Sequence, residues 1–138
     1  MRLLLVDSEP YAAMAYAPFI ESFGFEVVVI NKLEPNEEDI ITKVQDVNYA
    51  LVNTHGHWQE EACIKWLLLL QAHVPNIEIG LYNNTSVEAP GEIIKEYFQY
   101  YKQLGLSKVV SVCNYPVTPW QIASMLKSFL KYYKTQTT

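Results

Sequence analysis

Leu3-Leu4-Leu5-Val6-Asp7-Ser8-Glu9-Pro10 holds an apolar run, an acidic polar turn and a proline in close succession. With Arg2 in front, the run predicts a strand over Arg2–Val6, buried on both faces because its apolar residues are consecutive rather than alternating. Proline is tolerated in the first helical turn, so Ser8 or Glu9 is expected to cap a helix that opens at Pro10. That helix runs on to Phe23 and stops at Gly24, whose missing Cβ suits a left-handed residue just past a helix end. Pro18 lies inside it and removes one helical hydrogen bond, so a kink or break is expected there.

The alternation continues outward to the end of the chain. Strands are predicted over Phe25–Ile30, Tyr49–Val52, Ile77–Leu81 and Lys108–Val112, each short, mostly apolar and bounded by turn or polar residues. A second helix is expected from about Asn36 to Val47, with Glu37, Glu38 and Asp39 where the helix dipole favours negative charge. Its expected buried face is Ile40, Ile41 and Val44. A third runs from Trp58 to about His73, apolar nearly all round, and ends before Val74-Pro75 because the residue ahead of proline is pushed out of helical geometry. A fourth spans Gly91 to Leu104 with Gly105 as its stop. Thr118-Pro119-Trp120-Gln121 reads as a capping box opening a last helix that reaches Lys134. Strands that alternate with crossover helices specify an α/β protein with a parallel sheet.

At 138 residues, half of them hydrophobic and 18% charged, the chain has the material for one domain with its own core and is not a disordered linker. A single domain over 1–138 is expected, with 135–138 as a frayed tail; Met1 and that polar tail suggest a complete chain. Apolar runs such as Trp66–Leu70 fall far short of the ~18 residues that would span a bilayer. The acidic turn at Asp7 interrupts the N-terminal apolar run too early for a secretion signal. Cys63 and Cys113 form no CxxC pair, which fits a reducing compartment, so the expected location is cytoplasmic. Net charge is −5 and Arg2 is the sole arginine. A nucleic-acid partner, which needs a basic face, is therefore not expected, nor is a membrane.

In an open parallel sheet, chemistry collects beyond the carboxyl ends of the strands. Those ends deliver Asp7, Ser8 and Glu9 from the first strand, Asn53 and Thr54 from the third, Tyr82 and Asn83 from the fourth, and Asn114, Tyr115 and Pro116 from the fifth. At these residues the chain resembles the receiver domain of bacterial response regulators, which a histidine kinase phosphorylates on aspartate. Leu3 to Pro10 looks like the family's opening strand and acidic turn, and Ile20 to Val27 like its first helix leading into its second strand. Tyr115-Pro116-Val117-Thr118-Pro119 is similar to its Lys-Pro segment and the helix cap after it. The resemblance implies a single-domain flavodoxin-like fold: a five-stranded parallel sheet in the order 2-1-3-4-5, helices on both faces, with an insertion between the fourth and fifth strands.

The departures from the family are chemical. Asn53, or Thr54 if the register slips by one, stands where the family carries its phosphate-accepting aspartate, and an amide cannot take a phosphoryl group as a carboxylate does. The paired acids that hold Mg²⁺ are reduced to Asp7 beside Ser8, and Glu9 is not expected to reach in. Tyr82 or Asn83 falls at the phosphate-sensing Ser/Thr, and Tyr115 at the phosphate-pairing lysine. The resemblance therefore implies a degenerate receiver: not an enzyme, without a cofactor, acting as a protein-interaction module in bacterial signal transduction. The alternative for Asp7 is structural, a strand-end carboxylate capping the first helix.

Other motifs compete. His55 and His57 stand in a Thr-His-x-His run similar to the zinc-binding motif of metallo-β-lactamase-like hydrolases, but Gln59 and Glu60 replace the Asp and His that continue it. A small metal-dependent hydrolase is thus one alternative, and a solvent-exposed loop with two imidazoles is the plainer one. A loose likeness of the first ninety residues to class I glutamine amidotransferases fails, because no cysteine stands on a strand-to-helix turn. A small-ligand sensor using the pocket around Asp7 and Tyr115 is a further alternative. In the fourth helix Tyr97, Phe98, Tyr100 and Tyr101 cannot all face inward, so some are expected on the surface, where tyrosine makes a rigid anchor. With Trp120 they mark an expected face for a protein partner or homodimer through the fourth helix, fifth strand and fifth helix, the face receivers generally use. Covering a sheet edge is the other reading of the same tyrosines. Asn83-Asn84-Thr85 and Asn84-Thr85-Ser86 read as a polar loop.

Overall fold

The computed structural model describes residues 1–54, 61–83, 99–106, 108–113 and 117–137. The elements run β1 (Arg2–Val6), α1 (Pro10–Glu21), β2 (Glu26–Ile30), α2 (Glu37–Lys43), β3 (Tyr49–Asn53), α3 (Glu61–His73), β4 (Glu78–Tyr82), a helical stretch over residues 99–103 (α4), β5 (Val109–Cys113) and α5 (Pro119–Thr137). All strand pairs are parallel and the sheet order is β2-β1-β3-β4-β5, as the resemblance implied. Alternation across the pleat divides the core in two. Leu4, Val6, Ala50, Val52, Ile79 and Leu81 pack with Trp66, Leu67 and Leu70 of α3 and with Tyr101. Leu3, Leu5, Tyr49, Leu51 and Tyr82 pack with Ala13 and Ile20 of α1 and with Ile122, Met125, Leu126 and Phe129 of α5. Helices thus cover both faces, which is why β1, β3 and β4 read as continuous apolar runs.

The edges are β2 and β5. On β5 the register jumps from Ile79–Val109 to Gly80–Ser111, leaving Val110 without a partner on β4 and exposed to solvent. A bulge of this kind bends an edge and blunts its tendency to recruit another strand. On β4, Gly80 lets α5 approach the sheet: a Cβ there would stand 2.6 Å from Met125 Cε and 3.0 Å from Leu51 Cδ2.

Most helix boundaries lie where the local signals put them. Glu9 is the N-cap of α1, Asn36 accepts the amides of Glu38 and Asp39 at the start of α2, and Gly24 and Gly105 both adopt positive φ past helix ends. The capping box is present: the Thr118 amide donates to Gln121 Oε1 at 2.8 Å, and the Gln121 amide to Thr118 Oγ1 at 3.3 Å. Three expectations need correction. Of the kink or break expected at Pro18, the break is absent: α1 continues to Glu21, where the Ser22 amide donates to Pro18 O at 3.1 Å. α2 ends at Lys43 rather than Val47, because Val44 leaves helical geometry at φ −127°; the shorter helix buries Ile40 and Val44 but leaves Ile41 exposed. α5 ends at Thr137 rather than Lys134. Among the described residues no helix is long and apolar enough to cross a membrane.

Candidate functional site

Parallel strands bring their carboxyl ends to one rim, and the register sets the neighbours: Val6 opposite Val52, Asn53 opposite Tyr82, Tyr82 opposite Cys113. Asp7 follows β1 directly and is completely buried. The Tyr82 hydroxyl donates to its Oδ2 at 2.6 Å, and the Glu9 amide donates to its Oδ1 at 2.9 Å. Its main chain is held as well, with Asp7 N–H donating to Ile30 O at 3.2 Å and Asn31 Nδ2 donating to Asp7 O at 2.9 Å. Burying a carboxylate is costly unless donors replace its water, and hydrogen bonds to an ionised acceptor are the strong ones. Tyr82 is itself fully buried, and Tyr16 of α1 packs its ring edge-on against it, 5.7 Å between centroids at 80°.

The titration of these groups follows from that burial. Loss of water raises the Tyr82 hydroxyl well above the usual phenol range, and the negative charge of Asp7 raises it further, so Tyr82 keeps the proton it donates. Tyr16 is raised for the same reasons in the same order, with Cys113 a smaller contributor. Burial pushes the Cys113 thiol up to about 11, which leaves it protonated and poor as a nucleophile.

Of the residues expected at this rim, Asp7 and Tyr82 touch. Thr54 joins them through the Tyr82 carbonyl, which accepts from the Thr54 amide at 2.8 Å and from its hydroxyl at 3.3 Å. Asn83 is buried, its amide donating to Cys113 O at 2.9 Å. Ser8, Asn53 and Thr54 line, with Cys63 and Trp66, a cavity of about 10 Å³, room for roughly one water. Glu9 does not turn toward Asp7; its carboxylate accepts the Tyr11 amide at 3.3 Å and so caps α1. The cap expected of Asp7 therefore belongs to Glu9. A Mg²⁺ site needs several anionic or carbonyl oxygens free to converge on the ion. Here Asp7 is buried with a donor on each oxygen and the Glu9 carboxylate accepts the Tyr11 amide, so Asp7 and Glu9 do not converge on a common point as that cation requires. Tyr115, His55, His57 and Tyr97 lie outside the described residues. Among the described ones, no group of three His, Cys, Asp or Glu could hold a metal ion.

On the expected partner face, Tyr101 needs correction: it is fully buried in the core against α3, because its position on α4 faces the sheet. Tyr100 is half-buried beside it, and Trp120 stands 82% exposed in the first turn of α5. Between β5 and α5 lies an open cavity of about 310 Å³ lined by Ser111, Cys113, Gln121, Ser124, Met125 and Ser128. Two contributors to the rim went unread in the sequence, Tyr16 and Asn31. The spacing Ala13, Tyr16, Ile20 marks the sheet-facing side of α1 and carried a signal for the first; nothing local marks Asn31 as a partner of the Asp7 carbonyl.

No family model matches the chain, and no curated protein matches its sequence. Solved structures do match in shape. A response regulator receiver domain protein from Clostridium thermocellum superposes with a TM-score of 0.71 at 10% identity, covering 98% of each chain. A structure described as adenylate cyclase from Rhodopirellula baltica gives 0.70 at 18% identity over 99% of this chain and 91% of that one. A CheY-like receiver domain protein from Methanospirillum hungatei gives 0.67 at 15% identity over 98% and 97%. At such identities the likeness is one of backbone, and with the β2-β1-β3-β4-β5 order it establishes that the chain has the flavodoxin-like fold of response regulator receiver domains.

Proposed function

We propose that the chain is a degenerate receiver, a signalling domain that docks another protein and is not switched by phosphorylation of an aspartate. The observation that carries this reading is the state of Asp7: the carboxylate at the rim is buried, and each of its oxygens already accepts a hydrogen bond, one from Tyr82 and one from Glu9. At the tip of β3 the residue beside Tyr82 is Asn53, an amide, which offers no anionic oxygen for attack on phosphorus. A partner face across α4, β5 and α5 is supported by the exposed side chains of Leu104 in the turn after α4, Val110 on β5 and Trp120 on α5. The setting this fits is bacterial signal transduction in the cytoplasm.

Incubation with acetyl phosphate and Mg²⁺ tests the reading by intact-mass measurement. The expected result is an unchanged mass. A stoichiometric gain of one phosphoryl group that disappears in Asn53→Ala, Thr54→Ala or Asp7→Asn overturns it.

A further inference from the structure

The outer side of α1 is apolar and uncharged. From Pro10 to Ile20 the helix contains no charged residue, and its solvent face is Tyr11, Met14, Ala15 and Pro18, at the i, i+3, i+4, i+7 spacing of one stripe. Tyr11 is 78% and Met14 70% exposed, while Ala15 and Pro18 are exposed beside them. The opposite side of the helix, with Ala13 and Ile20, is the one that packs on the sheet. Leaving Tyr11 and Met14 in water on an uncharged helix face is unfavourable, and exposed apolar patches of this kind mark interfaces.

We infer that α1 is the homodimerisation surface, its occupant the α1 of a second copy. The order of sizes along the stripe supports a copy of itself: large, large, small, small. If two α1 helices meet antiparallel about a two-fold axis between residues 14 and 15, Tyr11 lies over Pro18 of the second copy and Met14 over its Ala15. Every large side chain then meets a small one, in both halves at once, as an isologous contact requires. Parallel pairing instead sets Tyr11 against Tyr11. The antiparallel arrangement also opposes the two helix dipoles. Charge agrees: each copy carries a net −5, and none of that charge lies on this stripe. Glu9 and Glu21 flank its ends and oppose the contact weakly, so the dimer tightens as salt screens them. One short helix buries less than the ~800 Å² per partner of a standard stable interface, which makes the dimer concentration-dependent. The inference does not depend on the chemistry at Asp7, and it places self-association on a different surface from α4, β5 and α5.

Sedimentation equilibrium of the full chain up to ~1 mM, the concentration at which weak complexes form, tests it. The mass is expected to climb from 15.9 kDa toward twice that value, further at higher salt. Met14→Glu, at an exposed site, is expected to remain at monomer mass with an unchanged thermal melt, and Trp120→Glu to dimerise like the wild type. As a second reading, Ala15→Cys is expected to give a disulfide-linked dimer on mild oxidation, Cys63 and Cys113 being buried. A wild type that stays monomeric, a dimer that Met14→Glu leaves intact, one that Trp120→Glu dissolves, one that salt dissociates, or failure of Ala15→Cys to cross-link overturns the inference. A negative result here leaves the acetyl phosphate experiment to decide the proposed function separately.

Discussion

The Tyr82 hydroxyl is one oxygen, and the way Asp7 is held turns on it. Replacing Tyr82 with Phe keeps the buried ring and its edge-on contact with Tyr16 but leaves Asp7 Oδ2 without its donor, away from water. Tyr82→Phe is expected to lower stability by about 1–3 kcal/mol, the range for stranding a buried acceptor. The measurement is urea unfolding, where the midpoint should fall with the slope unchanged. An unaltered midpoint would mean that Asp7 is satisfied without the hydroxyl. In the sequence, Tyr82 and Asp7 were both legible as strand-end residues. Their contact was not, since it joins positions 75 residues apart and depends on β3 lying between their strands.

At the scale of elements, the close passage of α5 over β4 rests on Gly80. An added methyl would meet Met125 Cε at 2.6 Å, Leu51 Cδ2 at 3.0 Å and Ser111 Oγ at 3.0 Å, so neighbours on three elements must shift together. Gly80→Ala is expected to cost about 1–3 kcal/mol, as overpacking usually does. Calorimetric melts should show Gly80→Ala combined with Met125→Ala losing less than the sum of the two single changes, because the second removes the tightest clash. Strict additivity would show that Met125 is not what opposes the methyl. Helix starts at Asn36 and Thr118 and stops at Gly24 and Gly105 were readable because a cap is made by residues within a few positions of it. The early end of α2 was not, and Ile41 was misplaced with it. Whether such a helix takes another turn is decided by what it packs on.

For the whole molecule, alkaline stability follows from three acids, two buried and Tyr16 partly so. Tyr16, Tyr82 and Cys113 are all raised, chiefly by burial, so the folded chain holds protons that the unfolded chain releases. Their contribution is complete below the ordinary thiol value of 9.0 and declines as pH rises past it and past the ordinary phenol value of 10.0. The melting temperature is expected to fall from about pH 9 upward, and Cys113→Ala to flatten the part of the fall between pH 9 and about 11. A melting temperature constant from neutral pH to pH 11 would contradict the burial on which this rests. The amino-acid sequence alone determined the five strands, their parallel direction, the caps and the row of residues delivered to the rim, because backbone hydrogen bonding and short-range sterics act on neighbours in the chain. Tertiary structure alone decided that Tyr82 and Glu9 share Asp7, that Tyr101 is core rather than surface, and that the uncharged side of α1 faces water. Those outcomes depend on which strands adjoin and which side of each helix the sheet covers, and both are set by packing between segments far apart in sequence.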